Sequence, residues 1–186
     1  NGKGGRGVAP AALLTGFNML ASEQVAIANQ RANKRYAWGG GRDAAFNDVF
    51  NNSWGLPVSY YPAQSRAQTR SVEKLMLGTR NGRGGVYVKS AGNYFYSPVR
   101  RNACPKALDL GVSCVNPNSD PDNNLATVIV VGATTAAGRR SSYSSAGSSL
   151  WVSAPGGEFG FQRQVADKLG RFSEQSYDPA IVTTDL

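Results

Sequence analysis

Ser90-Ala91-Gly92-Asn93 is the stretch of this sequence best suited to chemistry. It closes the strand-like run Gly85-Val86-Tyr87-Val88-Lys89. In open α/β sheets, reactive groups gather beyond the carboxyl ends of the strands, and Asn93 falls at such a place. An asparagine amide can donate a hydrogen bond to a developing oxyanion without titrating. The small residues before it would let another backbone approach closely. The alternative is an asparagine in a left-handed turn after a strand. Two further small-residue stretches accompany it, Asn52-Ser53-Trp54-Gly55 upstream and Ser153-Ala154-Pro155-Gly156-Gly157 downstream. The 186 residues contain no histidine, so a Ser-His-Asp triad cannot be completed from them.

The elements that would position these stretches alternate in type. Residues 8–19, VAPAALLTGFNM, read as a short buried strand. Ala21, Val25, Ala28, Ala32 and Tyr36 recur at helical spacing, with Ser22 as a candidate N-cap, which predicts a helix over 22–36. Trp38-Gly39-Gly40-Gly41 stops it. Residues 48–53 read as a second strand. A second helix is predicted over 64–80, with Val72, Leu75, Met76 and Thr79 on one face and Asn81-Gly82 as its C-cap. Residues 85–91 give a third strand. Residues 127–133, TVIVVGA, give a fourth, apolar on both faces and therefore central. Residues 150–154 and 180–184 are shorter candidates. Strands alternating with helices are the pattern of βαβ units, hence of a parallel sheet with right-handed crossovers. There is no internal repeat or linker, so residues 1–186 read as one domain.

Composition narrows the function classes. With 41% apolar and 17% charged residues, global disorder is excluded. A net charge of +8 raises the question of an anionic partner. The arginines are scattered, mostly beside glycines, and form no stripe, which favours a basic enzyme over a nucleic-acid binder. Gly82-Arg83-Gly84-Gly85 is a single RGG-like unit and reads as a turn. Gly2, Gly4 and Gly7 satisfy G-x-G-x-x-G, but no strand precedes them and an extended Val8-Ala9-Pro10 follows, so nucleotide binding is not expected. No segment reaches the ~18 apolar residues of a membrane span, and the opening Asn1-Gly2-Lys3 carries no signal-peptide pattern. Cys104 and Cys114 share one Pro/Asn-rich loop. Two thiols without histidine do not make a zinc site. A local disulfide in an exported protein is the preferred reading, with two free thiols as the alternative.

Taken in order, these segments resemble the subtilisin-like serine proteases, the subtilases of peptidase family S8. GVAP at 7–10 with ALLTGFNML at 12–20 is similar to the family's GVAP segment and the strand after it. NNSWG at 51–55 is similar to its cleft-lining segment, in the Ser-Trp-Gly form of kexin and the proprotein convertases. GVYVKSAGN at 85–93 is similar to the strand that carries the oxyanion asparagine. VIVVGATTAAGRRSSYSSAG at 128–147, VSAPGG at 152–157 and IVTTDL at 181–186 are similar to the segments that follow. The resemblance implies a three-layer α/β sandwich with a mostly parallel sheet, incomplete here. It implies a core fragment of a secreted or periplasmic serine endopeptidase whose triad Asp, His and Ser lie outside these residues, so that the isolated chain is inactive.

Residue by residue, the resemblance implies Asn93 as oxyanion donor. It implies Ser53, Trp54 and Gly55 as the backbone that pairs with a bound peptide, and Ser90, Ala91 and Gly92 as a wall of the P1 pocket. Where convertases place acids after Ser-Trp-Gly, this chain has Leu56-Pro57-Val58-Ser59. Asp120 and Asp122, in NPNSDPDNN, are acids near that cleft that could hold calcium or select a basic P1 side chain. The alternative is a solvated Asn/Asp/Pro turn. The chemistry requires no cofactor, and structural calcium stays open. The expected partner is a polypeptide substrate, with no nucleic acid and no membrane. In the resembled fold the strand bearing the catalytic Asp lies between 12–18 and 48–53. Its absence would leave open sheet edges, from which a homodimer is expected. A non-catalytic peptide-binding module or pseudoprotease, and an RNA-binding basic domain, are the rival readings.

Overall fold

Four short strands form the frame: β1 (Val49–Asn52), β2 (Val86–Ser90), β3 (Val128–Thr134) and β4 (Val152–Pro155). The computed structural model describes residues 7–17, 36–55, 61–62, 64–95, 104–160 and 178–181. The strands pair in the order β1-β2-β3-β4, and every pairing is parallel. The chain is thus an α/β protein, as the alternation of predicted strands and helices requires. Val128 and Val130 of β3 are fully buried. This fits its interior place between β2 and β4 and its uninterrupted apolar sequence.

The long helix α1 (Arg66–Gly82) connects β1 to β2. Ser65 starts it with a capping box. Ser65 Oγ accepts from Gln68 N at 3.2 Å, and Gln68 Oε1 accepts from Ser65 N at 2.8 Å. Met76 and Thr79 are buried, and Val72 and Leu75 pack beside them, so the predicted face is the one that meets the sheet. The helix ends slightly earlier than its pattern suggests. Thr79 is extended, and Arg80, Asn81 and Gly82 take positive φ values of 53°, 57° and 84°. Gly84 N then donates to Thr79 O at 3.1 Å. Gly82-Arg83-Gly84-Gly85 is therefore the turn out of the helix.

Trp38, Phe50, Met76, Tyr87, Val128 and Val130 make up most of the core between α1 and the sheet. Phe50 and Tyr87 stack with ring centroids 4.5 Å apart across the β1–β2 pair. Burial pushes the Tyr87 phenol above its ordinary value, partly countered by its hydrogen bond with Thr79. It stays a neutral donor, reaching Trp38 O at 3.3 Å.

Residues 8–17 are not the buried strand that their apolar content predicts. Val8, Leu13 and Leu14 are fully exposed. Ala12 N donates to Ala9 O at 3.1 Å in a turn around Pro10. The segment does not pair with β1, and no ladder holds it extended. Phe17 alone anchors its end, stacked on Tyr36 at 5.1 Å. The predicted helix over 22–36 lies outside the described residues except for Tyr36, as do Gly2 and Gly4, residues 18–19 and Leu56–Ser59. Of the candidate strand 180–184, Ala180 makes one antiparallel bridge to Gly157, and residues 182–184 lie outside the described set.

Burial separates two neighbouring positions of α1. Met76→Ala should lower unfolding free energy by about 2–5 kcal/mol. Leu77→Ala, at a side chain 59% exposed, should change it by less than about 0.5 kcal/mol. Urea unfolding of the two variants checks this, and equal losses would contradict the packing.

Candidate active-site cleft

A parallel sheet delivers all its carboxyl ends to one edge. Asn52 pairs with Lys89 and Ser90 with Val131. Ser53 therefore leaves β1 alongside Ser90 of β2, and the two candidate walls emerge side by side. Ala91 N still donates to Val131 O at 2.9 Å. Gly92 then turns the chain away with φ +97°, a backbone state that suits glycine.

Asn93 follows and is exposed. Ser145 grips the backbone on both sides of it. Ser145 N donates to Gly92 O at 3.0 Å, and Tyr94 N donates to Ser145 Oγ at 3.0 Å. Asn93 thus projects from a segment fixed at residues 92 and 94. It borders two cavities. One, of about 290 Å³, is also lined by Ser53, Gly55, Ala91 and Gly92. The other, of about 270 Å³, reaches Gly132, Tyr143 and Gly156.

The other wall is held by aromatic and amide contacts. Trp54 Nε1 donates to Asn52 Oδ1 at 3.1 Å, and Asn52 Nδ2 donates to Ala37 O at 3.4 Å. The Trp54 ring meets Trp38 edge-on at 5.9 Å. The VSAPGG turn is held by the serine run before it. Ser141 Oγ donates to Gly157 O at 2.7 Å, and Tyr143 Oη donates to Gly156 O at 3.0 Å. Glu158 accepts from Ser142 through both its backbone N and its hydroxyl. Burial raises the Tyr143 phenol above its ordinary value. A hydrogen bond with Ser141 counters this, and the Glu158 charge adds to it, so Tyr143 remains a donor.

Lys89 is the site residue that the sequence reading did not single out. Its side chain is fully buried. Nζ donates to Trp54 O at 2.5 Å and to Asp120 Oδ2 at 2.8 Å, and lies 4.7 Å from the Trp54 ring centre. Asp120 Oδ1 accepts from Asp122 N at 3.1 Å, capping the short 3-10 turn Pro121–Asn124. Asp120 and Asp122 are 4% and 3% exposed, so this turn is packed and not solvated. Among the described residues, no group of three or more His, Cys, Asp or Glu side chains converges as a metal site. The signal for Lys89 was its register. It shares the inward face of β2 with Tyr87, and a lysine two residues beyond a core tyrosine needs a buried counter-charge. Ser145 was equally hidden, inside a serine-rich run without periodicity.

Cys104 and Cys114 form a disulfide with Cα atoms 5.4 Å apart. The returning end of that loop lies along residues 94–95. Cys114 N donates to Phe95 O at 3.0 Å and Val115 N to Tyr94 O at 3.2 Å. Arg140 covers the buried Phe95 ring at 3.4 Å. The bridge therefore stabilises the chain just after Asn93.

The sequence matches the subtilase family, Peptidase S8, over residues 1–184, and the chain belongs to that family. It is 34% identical to the Aeromonas extracellular serine protease of Aeromonas sobria, over the whole of this chain and 27% of that protein. It is 41% identical to a microbial serine proteinase of Aeromonas salmonicida, over 52% of this chain and 12% of the relative. A crystal structure of the A. sobria serine protease with a chaperone superposes with a TM-score of 0.69 at 32% identity, covering 96% of this chain and 28% of that one. A second structure of the A. sobria protease gives 0.61 at 33% identity, covering 82% and 26%. The chain spans about a quarter of the length of the A. sobria protease.

Thiol titration of the unreduced, denatured protein should find no thiol at Cys104 or Cys114, and two after reduction. Two thiols before reduction would remove the bridge.

Proposed function

We propose that this chain forms the substrate cleft of a secreted serine endopeptidase and supplies its oxyanion donor. The carrying observation is the placement of Asn93. It is exposed beyond β2, between two cavities, with its backbone held at residues 92 and 94 by Ser145. A preorganised donor of this kind stabilises charge that develops at the attacked carbonyl oxygen. With no histidine among the 186 residues, the histidine base would come from outside them, and the nucleophilic serine and orienting aspartate would join it there. Ser53 to Gly55 would pair with the backbone of a bound peptide. Ser90 to Gly92 would wall the pocket for P1, the residue on the acyl side of the scissile bond.

Export is supported by the local disulfide and by the extracellular relative. The Ser53-Trp54-Gly55 form supports placing the chain toward the kexin-like branch of the family. A peptide-binding protein without catalysis is the outcome that would replace this reading.

In the whole protein, Asn93→Ala should lower kcat by about 10²–10³-fold with little change in KM. That magnitude is the one known for subtilisin, a member of the same family. Steady-state kinetics on a fluorogenic peptide checks it, and an unchanged kcat removes Asn93 from the mechanism. The 186 residues alone should neither turn over that peptide nor react with a serine-directed phosphonate; stoichiometric labelling would contradict the external triad.

A further inference from the structure

Ser142 has no polar group left free. Its backbone N and its hydroxyl both donate to the Glu158 carboxylate, the hydroxyl at 2.8 Å, and its carbonyl accepts from Arg140 Nη1 at 3.1 Å. We propose that Glu158 is a positioning residue for the oxyanion donor: it fixes the serine run 141–145, and through that run it sets the direction in which Asn93 points. The proposal rests on the reading of Asn93 above and adds a residue to that same site.

Three observations carry it. First, Glu158 is itself held from the far side. Its backbone N donates to Pro179 O at 3.0 Å, Gly160 N donates to Asp178 O at 3.1 Å, and Gly157 bridges Ala180. The approach is close enough to need glycine: a Cβ on Gly157, whose φ is +69°, would stand 2.6 Å from Ile181 N. The carboxylate therefore projects from backbone braced by a second segment. Second, the contact is buried, with Glu158 5% and Ser142 2% exposed. Each carboxylate oxygen takes one of the two Ser142 donors, an arrangement that an amide with its single oxygen cannot match. Third, the run that Glu158 fixes meets the Asn93 segment at three points. Beside the two Ser145 hydrogen bonds, Phe95 N donates to Tyr143 O at 3.1 Å.

The run between Ser142 and Ser145 is bonded within itself and to the sheet. Ser144 N donates to Ser141 O at 3.0 Å, and Ser144 Oγ accepts from Ala133 N at 2.9 Å. A shift at Ser142 is therefore passed on to Ser145, and from there to residues 92 and 94. Glu158 lines neither of the two cavities that Asn93 borders, so it acts through the run and not on the substrate. A donor moved out of line with the developing oxyanion loses transition-state stabilisation while substrate binding is kept. The effect of Glu158 therefore belongs in kcat.

The test uses the whole protease and a fluorogenic peptide. Glu158→Ala should lower kcat by about 10–10²-fold with KM changed less than about threefold. Glu158→Gln, which keeps an acceptor for Ser142 N, should recover most of that loss. In an Asn93→Ala background the same Glu158→Ala change should cost less than about twofold, because the donor it positions is gone. Equal losses in the two backgrounds overturn the proposal. So does a Glu158→Ala enzyme that keeps the wild-type kcat while unfolding at a lower temperature. If Glu158→Ala does not fold, Ser142→Ala removes the hydroxyl bond alone and should lower kcat by about two- to tenfold, again only with Asn93 present. A wild-type kcat for that variant overturns the proposal as well. An Asn93→Ala enzyme with unchanged kcat would overturn the oxyanion reading itself, which separates the two failures.

Discussion

A lysine on the inward face of a strand must find a counter-charge, and Lys89 finds Asp120, 31 residues further along the chain. That contact is the constraint on which the cleft depends. Lys89 belongs to β2, Asp120 to the turn that leads toward β3, and the Trp54 carbonyl to the segment leaving β1. One ammonium group therefore ties β2 to the segment that leaves β1 and to the turn that precedes β3. Removing one partner of a buried pair costs about 3–5 kcal/mol, because the other charge is left uncompensated. The pair is stabilising only while both halves are present, so it specifies the relative placement of the segments.

The second constraint is on backbone direction. Catalysis through an oxyanion donor needs that donor fixed before the charge appears. Gly92 supplies the turn, and Ser145 hydrogen-bonds on both sides of Asn93. The Cys104–Cys114 loop returns along residues 94–95 and carries the hold further. Arg140 joins these pieces. It covers the Phe95 ring and donates to the carbonyls of Ser141, Ser142 and Ser144. The serine run that grips Asn93 is thus itself anchored by a cation, as Lys89 anchors the opposite wall.

Much of this was legible in the residues, and the exceptions have physical causes. Residues 48–53, 85–91 and 127–133 read as strands because their apolar positions match a buried ladder, and each contains one. Helix 64–80 read correctly because Val72, Leu75, Met76 and Thr79 share a face, while the Ser65–Gln68 capping box that starts it was not singled out. Residues 8–17 read wrongly because apolar content shows what a segment could bury, while a strand also needs a neighbour to pair with. The placement of Asn93 beyond β2 followed from the strand read over 85–91, which ends just before it. Lys89 did not follow, since its partner lies in a remote turn whose two acids read either as a solvated Asn/Asp/Pro turn or as ligands for something external, and not as a buried counter-charge.

The account stands on the coupling between Lys89 and Asp120. A double-mutant cycle of Lys89→Met and Asp120→Asn, read by urea unfolding of the protein that carries this domain, measures it directly. The predicted result is a double variant less destabilised than the sum of the singles by at least about 1.5 kcal/mol. Single losses that add to within about 0.5 kcal/mol would contradict the pair as the organising contact of the cleft.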